Sequence, residues 1–217
     1  MPKYKLKRFK EFSEFTNTFD FAYEMKGKWK SEFFKNSNPL VLELGCGKGE
    51  YSVALAKYYP EKNFIGIDLK SNRMWRGAGI ALEENLQNVG FMRAVIDKIT
   101  ELFDENEVDE IWITFPDPFP RLRHEKHRLT APKFLERYRQ ILKPDGIVNF
   151  KTDDDDLFQY TLNTLNELKI IPIDVNWDVH ANEDSHPHLR EVKTHYEKLF
   201  MGRGRTIKHL QFKFNKA

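Results

Sequence analysis

Val41-Leu42-Glu43-Leu44-Gly45-Cys46-Gly47-Lys48-Gly49 opens as an apolar run and then breaks into three glycines at alternate positions. The run at 40–44 has the length of a buried strand. Residues 50–59, after the glycines, read as a helix ended by Pro60. The stretch is a strand, a tight turn and a helix, and the same unit recurs outward from it. Strands are expected at 63–68, 89–94, 108–115, 147–151, 170–175 and 207–213, which with 40–44 makes seven. Helices are expected at 71–85, 131–142, 154–168 and near 189–200. Ser71 or Asn72 can cap the first of these, and Lys143-Pro144-Asp145-Gly146 stops the second. Strands alternating with helices predict an α/β fold with a doubly wound, mainly parallel sheet. Ligands of such sheets lie beyond the carboxyl ends of the strands, where the strand order reverses. Residues 1–37 are basic and aromatic with little clear period. They read as an N-terminal arm packed partly on a domain of residues 38–217.

The glycine turn is E-x-G-x-G-x-G, formed by Glu43, Gly45, Gly47 and Gly49. It is not the dinucleotide fingerprint G-x-G-x-x-G, because the third glycine of that motif would fall on Glu50. Glycines let the backbone turn sharply and approach a ligand closely. A carboxylate at the strand end, Glu43, suits a ligand with a positive centre or an ammonium group, as in S-adenosylmethionine. Asp68 ends the second strand and can accept hydrogen bonds from both hydroxyls of a ribose.

Residues 115–130 read FPDPFPRLRHEKHRLT and follow the apolar strand that holds Ile111-Trp112-Ile113-Thr114. Pro116 and Pro118 cannot continue a sheet ladder, and each pushes the residue before it toward extended backbone. Asp117 is thus fixed on a stiff platform past a strand end. Arg121, Arg123, Lys126 and Arg128 follow, with His124 and His127 among them. A fixed acid beside a basic, imidazole-rich run suggests chemistry on a polyanion. His124 and His127 read as partners of Arg123, Lys126 and Arg128 on backbone phosphates rather than as bases.

A chain of 217 residues is the size of one α/β domain with additions. Its mean hydropathy of −0.64 points to a soluble protein, and no apolar run approaches membrane-spanning length. The first residues lack the apolar core of a signal peptide. One cysteine, Cys46, excludes an intrachain disulfide and a multi-cysteine zinc site. His186-Pro187-His188 has no further ligands nearby and reads as a loop, so no metal is expected. The expected compartment is the cytoplasm. Net charge is only +2, but it is segregated. Lys and Arg crowd residues 119–143 and both termini, while acids collect at 104–110 and 153–156. Such segregation fits a positive face for phosphates and an acidic cleft for another ligand.

With the glycine turn, Glu43 and Asp68, the chain resembles a class I S-adenosylmethionine-dependent methyltransferase. With FPDPFPRLRHEKHRLT added, it resembles the bacterial tRNA (guanine-N7-)-methyltransferase family, from about Lys7 to Leu210. Lys151-Thr152-Asp153 and Thr194-His195-Tyr196-Glu197 are further motifs of that family. The resemblance implies a Rossmann-like fold and methyl transfer from S-adenosylmethionine to N7 of a tRNA guanine, in the variable loop at position 46. It implies cofactor contacts at Glu43, Gly45, Gly47, Gly49 and Asp68, and Asp117 as the catalytic acid that also reaches the cofactor. It implies substrate contacts at Arg121, Asp153, Thr194, His195, Tyr196 and Glu197. The family commonly has Lys where Arg121 stands, which keeps the charge and alters the geometry. Many members also carry an acid for the adenine amino group near Val95. Either Asp97 takes that role here or backbone atoms do. A structural alternative for Asp153 and Asp154 is capping of the next helix.

Guanine N7 has a free lone pair, so its methylation needs alignment rather than a general base. Ionised carboxylates only accept hydrogen bonds, which matches the N1–H and N2–H₂ donors of guanine's pairing edge. No obligatory protein partner is expected, and the chain is read as a monomer or homodimer. Three other readings stay open: a methyltransferase of another RNA or of a protein, a non-catalytic RNA-binding protein, and a nicotinamide oxidoreductase. The intact Glu43 and Asp68 weigh against the second, and the broken dinucleotide fingerprint weighs against the third.

Overall fold

The computed structural model describes residues 3–215, without the side chains of Lys3 and His195. Eight strands form one sheet: β1 (Thr18–Asp20), β2 (Leu40–Leu44), β3 (Asn63–Asp68), β4 (Val89–Arg93), β5 (Val108–Thr114), β6 (Leu142–Thr152), β7 (Pro172–Asn176) and β8 (Lys208–Phe212). Their order is β1-β4-β3-β2-β5-β6-β8-β7. The pairs from β1 to β6 are parallel, and β8 runs antiparallel to both β6 and β7. From β2 the chain winds outward through β3 and β4, then returns to add β5 on the other side. The reversal of strand order therefore falls between β2 and β5.

The helices are α1 (Lys3–Glu14), α2 (Glu50–Tyr58), α3 (Ser71–Glu83), α4 (Ile99–Leu102), α5 (Pro132–Ile141), α6 (Asp155–Glu167), α7 (Pro187–Glu191) and α8 (His195–Met201). All five residues of β2 are buried, as a central strand covered on both faces requires. Its period of two divides them. Leu40, Leu42 and Leu44 join Phe134 and Leu135 of α5 and Phe158 of α6 on one face. Val41 joins Tyr51 and Val53 of α2 and Met74 and Ala78 of α3 on the other. Glu43 points to that second face.

The structure departs from the sequence reading in four places, the first being that β6 begins at Leu142 and takes in the 143–146 stretch expected as a helix stop. The expected arm supplies α1, a π-helical turn at Trp29–Phe34 and an eighth strand. β1 is only three residues long and is held by its ladder to β4 and by Phe91 N–H donating to Asn17 O at 2.9 Å, so no local pattern announces it. The helix expected near 189–200 is two helices, because Thr194 is extended and its hydroxyl accepts from Glu197 N–H to start α8 afresh. Neither Ser71 nor Asn72 caps α3. Lys70 holds the cap position with no side-chain bond, and its N–H donates to Asp68 instead.

The arm's largest side chain is bound as firmly as any core residue. Trp29 is fully buried, stacks on Phe103, meets Phe19 edge-on, and donates from Nε1 to Leu102 O at 3.1 Å. Trp29→Ala is expected to destabilise the whole domain by about 3–5 kcal/mol. Urea unfolding followed at two wavelengths checks this. An unchanged midpoint would mean that residues 18–34 open independently of the sheet.

Candidate active site

The two glycine-turn elements and the proline platform meet at the switch point. A cavity of about 590 Å³ lies there, between the carboxyl ends of β2, β3, β5 and β6. Its lining includes Glu43, Gly45, Gly47, Asp68, Asp97, Asp117, Asp153, Thr194 and Tyr196 of the sequence-derived set.

Glu43 is the penultimate residue of β2 and is almost fully buried, with both oxygens engaged. Ser52 N–H and Oγ–H donate to Oε2 at 2.9 and 2.5 Å, and Thr114 Oγ1 donates to Oε1 at 2.6 Å. One carboxylate thus joins β2, the first turn of α2 and β5. Burial pushes it up to about 7, against the pull of the Ser52 and Thr114 hydrogen bonds.

Gly49 has φ of +72°, and a Cβ there would stand 2.3 Å from the Phe91 ring, so both conformation and space demand glycine. Gly47 is also left-handed, but a Cβ on it would meet nothing within 4 Å. That wall of the turn faces open cavity. Asp68 is oriented by two main-chain donors, Gly47 N–H on Oδ2 at 3.0 Å and Lys70 N–H on Oδ1 at 2.8 Å. A carboxylate has about four acceptor sites, so two remain for a ligand's hydroxyls.

Asp117 is exposed to the cavity, and no hydrogen bond or ion pair ties it to another described residue. The extended backbone expected before Pro116 is corrected: turns held from β6 and by Arg128 shape the platform instead. Phe115 and Phe119 take left-handed φ of 48° and 44°, a conformation that costs a bulky residue of order 1–3 kcal/mol. Phe115 N–H donates to Lys151 O at 2.8 Å, which holds the first turn against β6. Arg128 holds the second. Its Nε donates to Pro118 O at 3.0 Å and its Nη2 to Phe119 O at 3.1 Å, and its guanidinium covers Tyr160 at 4.2 Å. Arg128 is buried. The expectation that it lies on a phosphate face is corrected: its charge serves two orphan carbonyls of the platform. Arg121, Arg123 and Lys126 are exposed around a 3₁₀ turn at Leu122–His127. His127 lines the cavity, and His124 and His127 stand against Phe119. Arg121 does not line it.

Two other expected contacts are otherwise engaged. Glu197 is fully buried, accepting from Lys151 Nζ at 2.9 Å and pairing with His180 Nε2 at 2.9 Å, and it does not line the cavity. Lys151 Nζ also donates to Leu189 O at 2.7 Å, so the ion pair fastens α7 and α8 to β6. Burial draws the Lys151 ammonium below its usual range, against the attraction of Glu197. Asp97 Oδ1 accepts from Lys133 at 2.6 Å and Arg137 at 2.9 Å. Asp154, rather than Asp153, caps α6 by accepting from Leu157 N–H. The side chain of His195 lies outside the described residues. His186 and His188 pair with each other, and Tyr59 joins them. Sequence reasoning did not find Ser52, Thr114, Phe115, Phe200 or Arg205, all of which bond site residues or line the cavity. Only the E-x-G-x-G spacing hinted at Ser52, since it sets the start of α2.

A family model described as "Putative methyltransferase" matches residues 37–210. Curated tRNA (guanine-N(7)-)-methyltransferases are similar over nearly the whole chain. That of Christiangramia forsetii is 48% identical, covering 97% of this chain and 98% of the relative. That of Cytophaga hutchinsonii is 41% identical, covering 99% of each. Among solved structures, a 16S rRNA methyltransferase superposes with a TM-score of 0.64 at 14% identity, over 86% of this chain and 92% of that one. An antibiotic-related methyltransferase gives 0.63 at 19% identity over the same shares. At such identities the likeness is one of fold, that of class I S-adenosylmethionine-dependent methyltransferases.

Glu43 makes stability depend on pH with a definite sign. Its folded value of about 7 lies above the ordinary 4.5, so the fold keeps this proton after the unfolded chain has lost it. Its contribution to unfolding free energy falls as pH rises from 4.5 to about 7, and is level above. Glu43→Gln should abolish that fall. Denaturant melts of both proteins at half-unit pH steps check it, and parallel pH profiles would refute it.

Proposed function

The chain belongs to the tRNA (guanine-N(7)-)-methyltransferase family, and from that premise we propose how its cavity carries out the reaction. The enzyme methylates N7 of a guanine in tRNA, with S-adenosylmethionine as methyl donor. The observation that carries the assignment of roles is the meeting, in one cavity, of the Glu43–Asp68 cradle and the exposed Asp117 platform.

The residues fit the cofactor. Asp68 has acceptor sites for ribose hydroxyls, Gly47 leaves the turn open to a close approach, and Glu43 puts a carboxylate where positive charge is welcome. When bound, S-adenosylmethionine supplies a sulfonium-activated methyl group. Ala94, Val95 and Ile96 line the same cavity beyond β4, and with Asp97 shared between two cations we assign the adenine to their backbone.

The protein's own part is alignment and charge. A guanine must leave its stack to enter. Phe115, Phe119, Tyr196 and Phe200 offer ring faces to receive it. Asp117 and Asp153 accept from its N1–H and N2–H₂ edge, and the base becomes cationic as N7 takes the methyl group. Carboxylates already in place stabilise that developing charge without reorganising. Arg121, Arg123 and Lys126 meet RNA phosphates beside the cavity, and the target is the variable-loop guanine.

Asp117→Asn should keep the fold and cofactor affinity while losing at least about 100-fold in turnover. Asp68→Ala should instead weaken S-adenosylmethionine binding by about 1.5–3 kcal/mol. Single-turnover labelling, titration calorimetry and mass spectrometry of tRNA nucleosides separate the two. Near-normal 7-methylguanosine formation by Asp117→Asn would remove it from the reaction.

The phosphate face is tested by salt. Arg123→Glu with Lys126→Glu should weaken tRNA binding and flatten its dependence on ionic strength, because fewer counterions are released. Arg128→Glu should lower the melting temperature instead, since it strips two carbonyls of the platform of their donors. Filter binding across a salt series, with melts in parallel, checks both. An unchanged slope in the double variant would place the RNA elsewhere.

A further inference from the structure

Asp153, assigned above to the pairing edge of guanine, already has a partner of nearly the same shape. Arg205 Nη1 donates to its Oδ2 at 2.6 Å. The guanidinium carbon lies 5.7 Å from the centre of the Phe200 ring. Phe200 in turn stands 6.1 Å from Phe115 and 6.2 Å from Tyr196, and all of these line the cavity with Asp117. Guanine's C2 with N1, N2 and N3 forms a planar guanidine unit whose N1–H and N2–H donors lie side by side. The guanidinium of arginine is the same unit with a full charge. A carboxylate edge and an aromatic face are what each of them needs.

We propose that Arg205 occupies the seat of guanine's pairing edge in the free enzyme and is a specificity-determining residue for the base that enters. The inference rests on the reading of Asp153 as an acceptor for guanine. Asp153 is buried, and a buried carboxylate left without a donor is costly. Arg205 supplies that donor until a base with its own donors displaces it. Adenine presents an acceptor at N1 and cannot replace the guanidinium without leaving Asp153 short. The pair thereby discriminates against bases that lack the edge.

Arg205 has freedom to leave. Its side chain is 53% exposed. Gly204 before it has φ of +74° and open space around any Cβ. The neighbouring cation does not share that freedom. Lys208 is buried and donates to Asp153 O and Thr206 O, so it anchors the strand end and stays. After transfer the base carries a positive charge, which the returning Arg205 disfavours beside Asp153. Displacement and return of one side chain therefore serve both entry and release.

Steady-state methylation of an unmodified tRNA transcript by wild type, Arg205→Ala, Arg205→Lys, Asp153→Asn and the Asp153→Asn/Arg205→Ala pair tests this. A lost competitor of a half-exposed ion pair should lower the KM for tRNA about fivefold in Arg205→Ala, with kcat no higher and the salt slope unchanged. Arg205→Lys should fall between wild type and Arg205→Ala. In the Asp153→Asn background, removing Arg205 should not lower KM. The inference is overturned by a KM that stays the same, or that rises with a flatter salt slope, which would make Arg205 a phosphate anchor. It is also overturned by a kcat loss at constant KM restored by lysine, which would make it a positioning residue for Asp153. A fall in KM that persists without the Asp153 carboxylate overturns it too. Wild-type enzyme that makes no 7-methylguanosine would count against the assigned function, a result distinct from all of these.

Discussion

The carboxylate of Glu43 is the interaction on which the site is built. It stands where the strand order reverses, and it receives Ser52 from α2 and Thr114 from β5. Both neighbours are fixed by it: the entry of the first helix, and the end of the strand that leads into the proline platform. Burial would ordinarily make such a group costly, and three donors offset much of that cost. What remains is a carboxyl raised to about 7.

A second buried charge does the same for the other rim. Lys151 and Glu197 are both fully enclosed, and with His180 and Leu189 O they fasten residues 180–197 over β6. Removing one partner from such a pair leaves an uncompensated charge and costs about 3–5 kcal/mol. Glu197 thus acts on the site by placing Thr194, Tyr196 and Phe200 at the cavity wall. A carboxylate near a substrate pocket need not touch the substrate to matter to it.

The platform between these rims stores strain. Two phenylalanines in left-handed backbone flank Pro116-Asp117-Pro118, and Arg128 and Lys151 O hold the segment there. The gain is an acid that faces solvent without a hydrogen bond or ion pair to another described residue, at a fixed place beyond β5. The basic turn that follows divides its labour accordingly. Arg128 faces inward to the platform, while Arg121, Arg123 and Lys126 face solvent.

Much of this was legible in the sequence because it depends on local patterns. Period two in β2, glycines at alternate positions, acids at two strand ends and prolines around Asp117 each have a short-range physical cause. Together they were enough for the fold class and for placing Glu43, Asp68 and Asp117 at strand ends around one cavity. Other features come from groups distant in sequence, and only the tertiary structure could decide them. β1 is three residues that become a strand only through a ladder to β4 more than 70 positions away. Arg123 and Arg128 look alike in the chain, and one is exposed while the other is buried, since the path of the loop decides which carbonyls need a donor. Glu197 and Asp153 both looked like substrate acids. The fold gives one to Lys151 and the other to Arg205. Charge is written in the sequence, but what it neutralises depends on which distant group the backbone brings within about 3 Å, and on whether water is excluded there.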